Sequence, residues 1–185
     1  MKKSISFLLL IISIFAFSQD LSFRINNKQV EWEKIFNTEK KLSNIKSTLL
    51  LSGKLKFISE TENSLIGEFG DFLMDYKGAG FTQMGTPMYL NSNNRYSANF
   101  KIDIKEGKYR VTIFNIKFKG MQMSLYSGGV GMSGNNENNI EEYLLKNNKE
   151  QFKGSFNDKP YKILDYSFTN LFDVSKYQNT SNDNW

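Results

Sequence analysis

Ser43-Asn-Ile-Lys46 has the S-x-x-K spacing in which a lysine activates a serine nucleophile, as in penicillin-binding enzymes. The Lys-Thr-Gly segment that completes such a centre does not occur, and Ser43 and Lys46 on one helix surface meet the spacing without chemistry. Glu60 with Glu62, and Glu141 with Glu142, could serve as paired carboxylates for glycoside hydrolysis, although neighbouring charges are common in turns and helices. Gly128-Gly-Val-Gly-Met-Ser-Gly134 could cradle an anion on its backbone amides, but lacks the Gly-Lys-Ser/Thr ending of a phosphate loop. Asn135-Asn-Glu-Asn-Asn139 offers oxygens to calcium without the spaced Asp and terminal Glu of a dedicated loop. Lys101, Asp103 and Arg110 form a polar cluster: a solvated cross-strand ion pair, worth up to about 1 kcal/mol, or part of a binding surface. Phe81 and Tyr89, in the aromatic-rich stretch from Phe72 to Tyr89, are the aromatic candidates beside it or are folded back as core.

Composition removes whole reaction classes. The 185 residues contain no Cys and no His. A cysteine nucleophile, a Ser-His-Asp triad, a Cys/His zinc site and imidazole acid–base chemistry are therefore unavailable. No cofactor or metal is expected. Met1-Lys-Lys, the apolar run from Ile5 to Phe17, and small residues Ala16 and Ser18 before Gln19 read as a secretory signal peptide cut after Ser18. The run is short for a membrane span, and no Cys follows it to carry a lipid anchor. A periplasmic or secreted chain without disulfides must be held by its core. Without Lys2 and Lys3 the net charge falls from +5 to +3, and the remaining charge is spread along the chain. That spread argues against a dedicated nucleic-acid surface.

The elements that must position these residues centre on one hairpin. From Arg95 to Lys105 apolar side chains recur at every second position: Tyr96, Ala98, Phe100, Ile102 and Ile104. Glu106-Gly107 then supplies a two-residue turn. The turn sets Lys105 opposite Lys108, Ile104 opposite Tyr109, Asp103 opposite Arg110, Ile102 opposite Val111, Lys101 opposite Thr112 and Phe100 opposite Ile113. After Ile113 the apolar phase shifts to Phe114, Ile116 and Phe118, which predicts a bulge near Asn115. Leu21 to Phe36 reads as one or two strands turning at Asn26-Asn27, and Lys54–Ile58 and Leu65–Phe69 as two more. A helix is predicted over Lys40–Ser52, capped by Thr38 and ended by Gly53. Residues 127–139 read as a Gly/Asn-rich loop and Ile140–Asn147 as a short helix. A final helix is predicted over Pro160–Tyr177, with Asp158 as N-cap and a polar, disordered tail over 178–185.

The order of these elements, with Leu65-Ile-Gly-Glu-Phe69 and the run from Tyr96 to Ile113 around Lys105-Glu-Gly-Lys-Tyr-Arg110, resembles the exported bacterial domain of unknown function 4468 (DUF4468). The resemblance covers roughly Val30 to Phe118. It implies a curved antiparallel sheet with helices on one face, the TATA-binding-protein-like fold, and implies no activity. A fold does not carry DNA binding with it.

Together these readings predict a single α+β domain over residues 19–177: an antiparallel sheet of about five strands, covered by helices on its apolar face and polar on the other. The function expected is non-catalytic binding of a polar ligand or an envelope protein. The alternatives are a small hydrolase with a Ser-Lys or carboxylate centre, and a membrane-surface protein using Phe72, Phe81, Met84 and Tyr89.

Overall fold

The computed structural model describes residues 22–126 and 129–177. Residues 1–21, which include the segment read as a signal peptide, residues 127 and 128, and residues 178–185 lie outside them. The chain forms seven strands: β1 (Phe23–Asn26), β2 (Gln29–Asn37), β3 (Leu55–Glu60), β4 (Ser64–Phe72), β5 (Arg95–Lys105), β6 (Lys108–Tyr126) and β7 (Gly129–Asn139). All pair antiparallel, in the order β1-β2-β6-β5-β4-β3, with β7 also on β6. Helix α1 (Leu42–Leu50) follows β2, and α2 (Glu141–Leu144) and α3 (Lys159–Phe172) follow β7.

The central hairpin has the register read from the sequence, pair for pair from Lys105↔Lys108 to Phe100↔Ile113. Gly107 has φ +73, the conformation its turn requires. The bulge falls where the phase shift placed it: Asn115 has φ 54, and the pairing slips between Ser97 and Asn99. Asn27 and Lys28, both at positive φ, close the β1–β2 hairpin one residue later than the Asn26-Asn27 turn expected, since Asn26 still pairs with Gln29.

Several expectations are corrected. The sheet has seven strands rather than about five, because Gly129–Asn139 is a strand and not a loop. Strand β6 is 19 residues long, and β2 pairs with its edge over Lys108–Ile113. Beyond the bulge that edge has unused donors and acceptors, and β7 takes them from Lys117 to Tyr126. Backbone pairing overrides a composition of Gly and Asn. The final helix ends at Phe172 rather than Tyr177, because Tyr109 Oη donates to the Phe172 carbonyl at 2.7 Å and accepts from Val174 N. Asp173 is extended there, and Val174–Tyr177 forms a separate 3₁₀ turn. Burial pushes the Tyr109 hydroxyl pKa up, which keeps it a donor.

One face of the sheet is sealed. Trp32, Phe69, Phe100, Ile102, Val111 and Ile113 meet Ile163, Leu164, Phe168 and Phe172 of α3 and Ile45 and Leu49 of α1 in one core. Phe172 sits 5.1 Å from Phe100 and Phe168 sits 5.6 Å from Trp32, ring centre to ring centre. Each such ring contributes about 1.5–3 kcal/mol through burial. Polar tethers fix the helix in register: Trp32 Nε1 donates to Asp165 Oδ1 at 2.9 Å, and Lys34 Nζ bridges Asp165 and Thr169. Helix α1 starts at Leu42, two residues later than predicted, since Thr38 Oγ1 accepts from Lys40 N and does not reach the helix.

Where β2 and β7 part from each other along β6, a buried carboxylate fills the gap. Glu33 N bonds to Ser22 on the outer side, so Val30 N, three residues away, points toward β6. Strand β6 has bent away after Ile113, and Glu141 Oε1 accepts from Val30 N at 2.9 Å instead. Next to it, Ile140 N donates to Ile116 O. Glu141→Ala should therefore destabilise the protein by about 1–3 kcal/mol, while Glu142→Ala, on the exposed side, should change little. Urea unfolding of the two variants distinguishes a structural acceptor from a functional carboxylate pair.

Candidate functional site

The other face of the sheet carries the polar candidates, because residues two apart share a face. Its middle is a cross-strand ladder. Arg110 Nη2 donates to Asp103 Oδ2 at 3.1 Å and Lys101 Nζ pairs with Asp103 Oδ1 at 2.8 Å. Toward one edge Arg24 clamps Glu31 and Glu33, at 2.8 and 2.9 Å, and Thr112 bonds Glu33. Toward the other Lys56 pairs with Glu68 at 2.9 Å. Asp103 lies beneath its partners: its side chain is 23% exposed against 47% for Arg110 and 44% for Lys101. Basic heads thus form the outer layer of the ladder, whereas in the Lys117–Glu137 pair the carboxylate is the more exposed. Ile35 and Ile66 project among them, 52% and 38% exposed.

Burial pushes the Asp103 carboxyl up, but the hydrogen bonds and charges of Lys101 and Arg110 outweigh it and hold the group below the usual carboxylate range. Burial of the Arg24 ion pairs opposes ionisation less strongly than the Glu31 hydrogen bond favours it, so the Arg24 guanidinium is raised.

At the turn end of this face Ile35, Asp103, Lys105, Lys108 and Arg110 line a hollow of about 150 Å³. Lys105 and Lys108 stand directly opposite each other, and among the described residues neither ammonium has a hydrogen-bond or ion-pair partner. A broader cleft of about 610 Å³ opens round the end of the sheet, lined by Thr38 to Ser43, Glu60 to Asn63 and the β5–β6 turn.

The aromatic candidates are elsewhere. Phe81 and Tyr89 do not lie beside Lys101, Asp103 and Arg110; the loop that carries them is packed on the helix side. Asp75 N donates to Ser167 Oγ of α3, and Tyr96 Oη of the covered face donates to Tyr89 O. Tyr89 rests on Tyr143 and Phe118, with ring centres 5.0 and 6.4 Å away, and burial pushes its hydroxyl pKa up. Phe81 packs against the same core. Within that loop Met84 is fully exposed, and Phe72 stacks on Phe168.

The sequence motifs for catalysis separate. Lys46 Nζ donates to Glu60 Oε2 at 2.6 Å and lies over the Phe57 ring, so a carboxylate, not Ser43, holds this lysine. That pair also takes Glu60 from Glu62. Gly129–Gly134 runs in strand β7, whose amides alternate in direction and cannot form a nest, and Gly128 lies outside the described residues. Glu137 of the calcium candidate pairs with Lys117. Among the described residues no group of three or more acidic, Cys or His side chains converges as a metal site, and no helix is long and apolar enough to cross a membrane. Sequence reading passed over Ile35, Lys105 and Lys108 as site residues. The hairpin register already placed the two lysines together; Ile35 required knowing that β2 pairs with β6, which sets it opposite Arg110.

Among solved structures, the chain is similar to a DUF4468 family protein from Bacteroides ovatus, with a TM-score of 0.50 and 12% identity over 89% of this chain and 94% of that one. A TBP-like protein from Parabacteroides distasonis aligns over 83% of this chain and 96% of that one, with a TM-score of 0.45 and 9% identity. No family model and no curated protein matches the sequence. The fold is therefore that of the DUF4468 family structure: an α+β domain built on a curved antiparallel sheet. At this identity the likeness speaks for the fold alone.

The recessed carboxylate makes a measurable statement. A depressed folded-state pKa contributes stability that is present above the unfolded value and is lost as pH falls through the folded one. Replacing Lys101 and Arg110 by Met should raise the Asp103 pKa toward or above the ordinary carboxylate value and flatten the acid limb of the stability curve. Carboxyl-carbon NMR titration reads the first and thermal melts from pH 2 to pH 6 read the second.

Proposed function

We propose that this chain is an exported, non-catalytic binding domain whose uncovered sheet face receives an envelope protein or another polar partner. The observation that carries this reading is the asymmetry of the sheet. One face is closed by α1 and α3, while the other presents basic heads over recessed carboxylates with two isoleucines set among them. Ile35 and Ile66 give this face apolar contacts, and Arg24 and Arg110 on the same face are of the residue type enriched at protein interfaces. The hollows on this face are small, so its extent suits a broad or extended partner better than a buried small molecule. Catalysis finds no support in the residues that would have to perform it: the chain has no His or Cys, and Lys46 is bound to Glu60. Export rests on the charged start, apolar run and small-residue cleavage pattern before Gln19.

The test is affinity capture on tagged mature protein with two variants, Lys101→Glu with Arg110→Glu, and Ile35→Ser with Ile66→Ser, each first shown to keep the wild-type circular dichroism and melting. A partner that binds through this face is lost from both. A partner retained by both variants removes the open face from the account.

A further inference from the structure

The hollow at the turn end of the open face has a charge imbalance that the fold does not explain. Lys105 and Lys108 flank the Glu106-Gly107 turn and oppose each other across the hairpin. Like charges directly opposite one another are destabilising. Of the neighbouring carboxylates, Asp103 is already shared by Arg110 and Lys101, and Glu106 in the turn itself forms no ion pair with either lysine. Several basic groups on this face have carboxylate partners: Arg24 has Glu31 and Glu33, Lys56 has Glu68, and Lys117 has Glu137. Among the described residues Lys105 and Lys108 have none, as Lys119 opposite Arg95 at the far end of the face has none, and the two lysines at the turn share a hollow with Arg110.

The geometry points to a subsite for a dianionic oxyanion, a phosphate group, held between Lys105 and Lys108 and against Arg110. This rests on the reading of the open face as a binding surface and names the chemistry of one end of it. Two unanswered ammonium groups match two negative charges. Arg110 uses one terminal nitrogen, Nη2, on Asp103, which leaves guanidinium donors for a second acceptor. Asp103 lines the hollow too, and its two basic partners turn it into a clamp that orients Arg110. Ile35 closes one wall. An apolar wall excludes water from one side of the anion and strengthens the charge interactions. The volume, about 150 Å³, accepts a single tetrahedral group, and is well below the roughly 300 Å³ at which pockets begin to enclose whole ligands. The remainder of a phosphorylated ligand must lie along the exposed sheet face.

The test uses the mature protein at constant ionic strength. Inorganic phosphate is titrated at pH 8, with the lysine side-chain NMR signals as the readout, against chloride and acetate as monoanion controls. Saturable shifts confined to Lys105 and Lys108, absent with the monoanions, are the expected result. Lys105→Met and Lys108→Met should each weaken phosphate binding about tenfold, since each removes one charge-assisted bond. Phenyl phosphate and phosphatidic acid vesicles then separate a soluble phosphomonoester from a lipid headgroup as the source. Shifts that stay linear in phosphate, or that persist unchanged in both variants, overturn the subsite. Because these variants leave Lys101, Asp103, Ile35 and Ile66 in place, a captured partner retained without phosphate binding removes the subsite and leaves the open-face reading standing. Phosphate binding without any partner does the reverse.

Discussion

Strand β6 serves two partners along one edge, and the sheet has to split where one gives way to the other. The rest of the architecture follows from how that split is satisfied. At Asn115 the strand adds a residue against β5, bends, and leaves β2 behind. A buried backbone amide without a partner would cost about 1–3 kcal/mol, and the one at risk is Val30 N. Glu141 reaches it across 111 residues of chain. The chain can arrive there only because β7 has returned along β6 from Tyr126 to Lys117, which brings Ile140 beside Ile116 and turns the backbone into α2. Bulge, seventh strand and buried carboxylate are therefore one solution to one backbone problem.

That solution also decides which face is available. After α2 the chain crosses to the apolar side, and α3 lies over Trp32, Phe69 and Phe100, tethered by Asp165 and Tyr109. The long connection from β4 to β5 joins the same side through Asp75 and Ser167. Every large packed element among the described residues is spent on one face. The other face keeps its side chains in pairs across strands, where single ion pairs contribute little to stability. Folding and recognition are thereby divided between the two sides of one sheet, and charges on the open side can change with small effect on the core.

Much of the fold was legible because strand alternation and a Glu-Gly turn are local facts. The hairpin register and the bulge at Asn115 both follow from a handful of neighbouring residues, and the β1–β2 turn follows to within one residue. What was hidden depends on contacts far apart in the chain. The Gly- and Asn-rich segment has no apolar alternation to mark it as a strand; its pairing comes from the open edge of β6. Helix α3 stops at Phe172 because of a tyrosine 63 residues earlier, and no cap in the local sequence records that. The buried role of Glu141 is equally silent, since its neighbour Glu142 is the same residue type and lies outside.

The candidate site divides in the same way. Lys101, Asp103 and Arg110 could be placed together because they belong to a single hairpin. Phe81 and Tyr89 could not, because an aromatic-rich loop can fold to either side of a sheet, and the choice depends on where exposed apolar surface remains. Here that surface lay at the margin of α3 and over Tyr96 and Phe118, so the rings went to the covered side. Burial of a ring outweighs the smaller gain of stacking it on solvated arginine. The loss of the aromatic residues from the open face leaves Ile35 and Ile66 as its apolar contacts, and leaves charge as the feature by which that face can distinguish one partner from another.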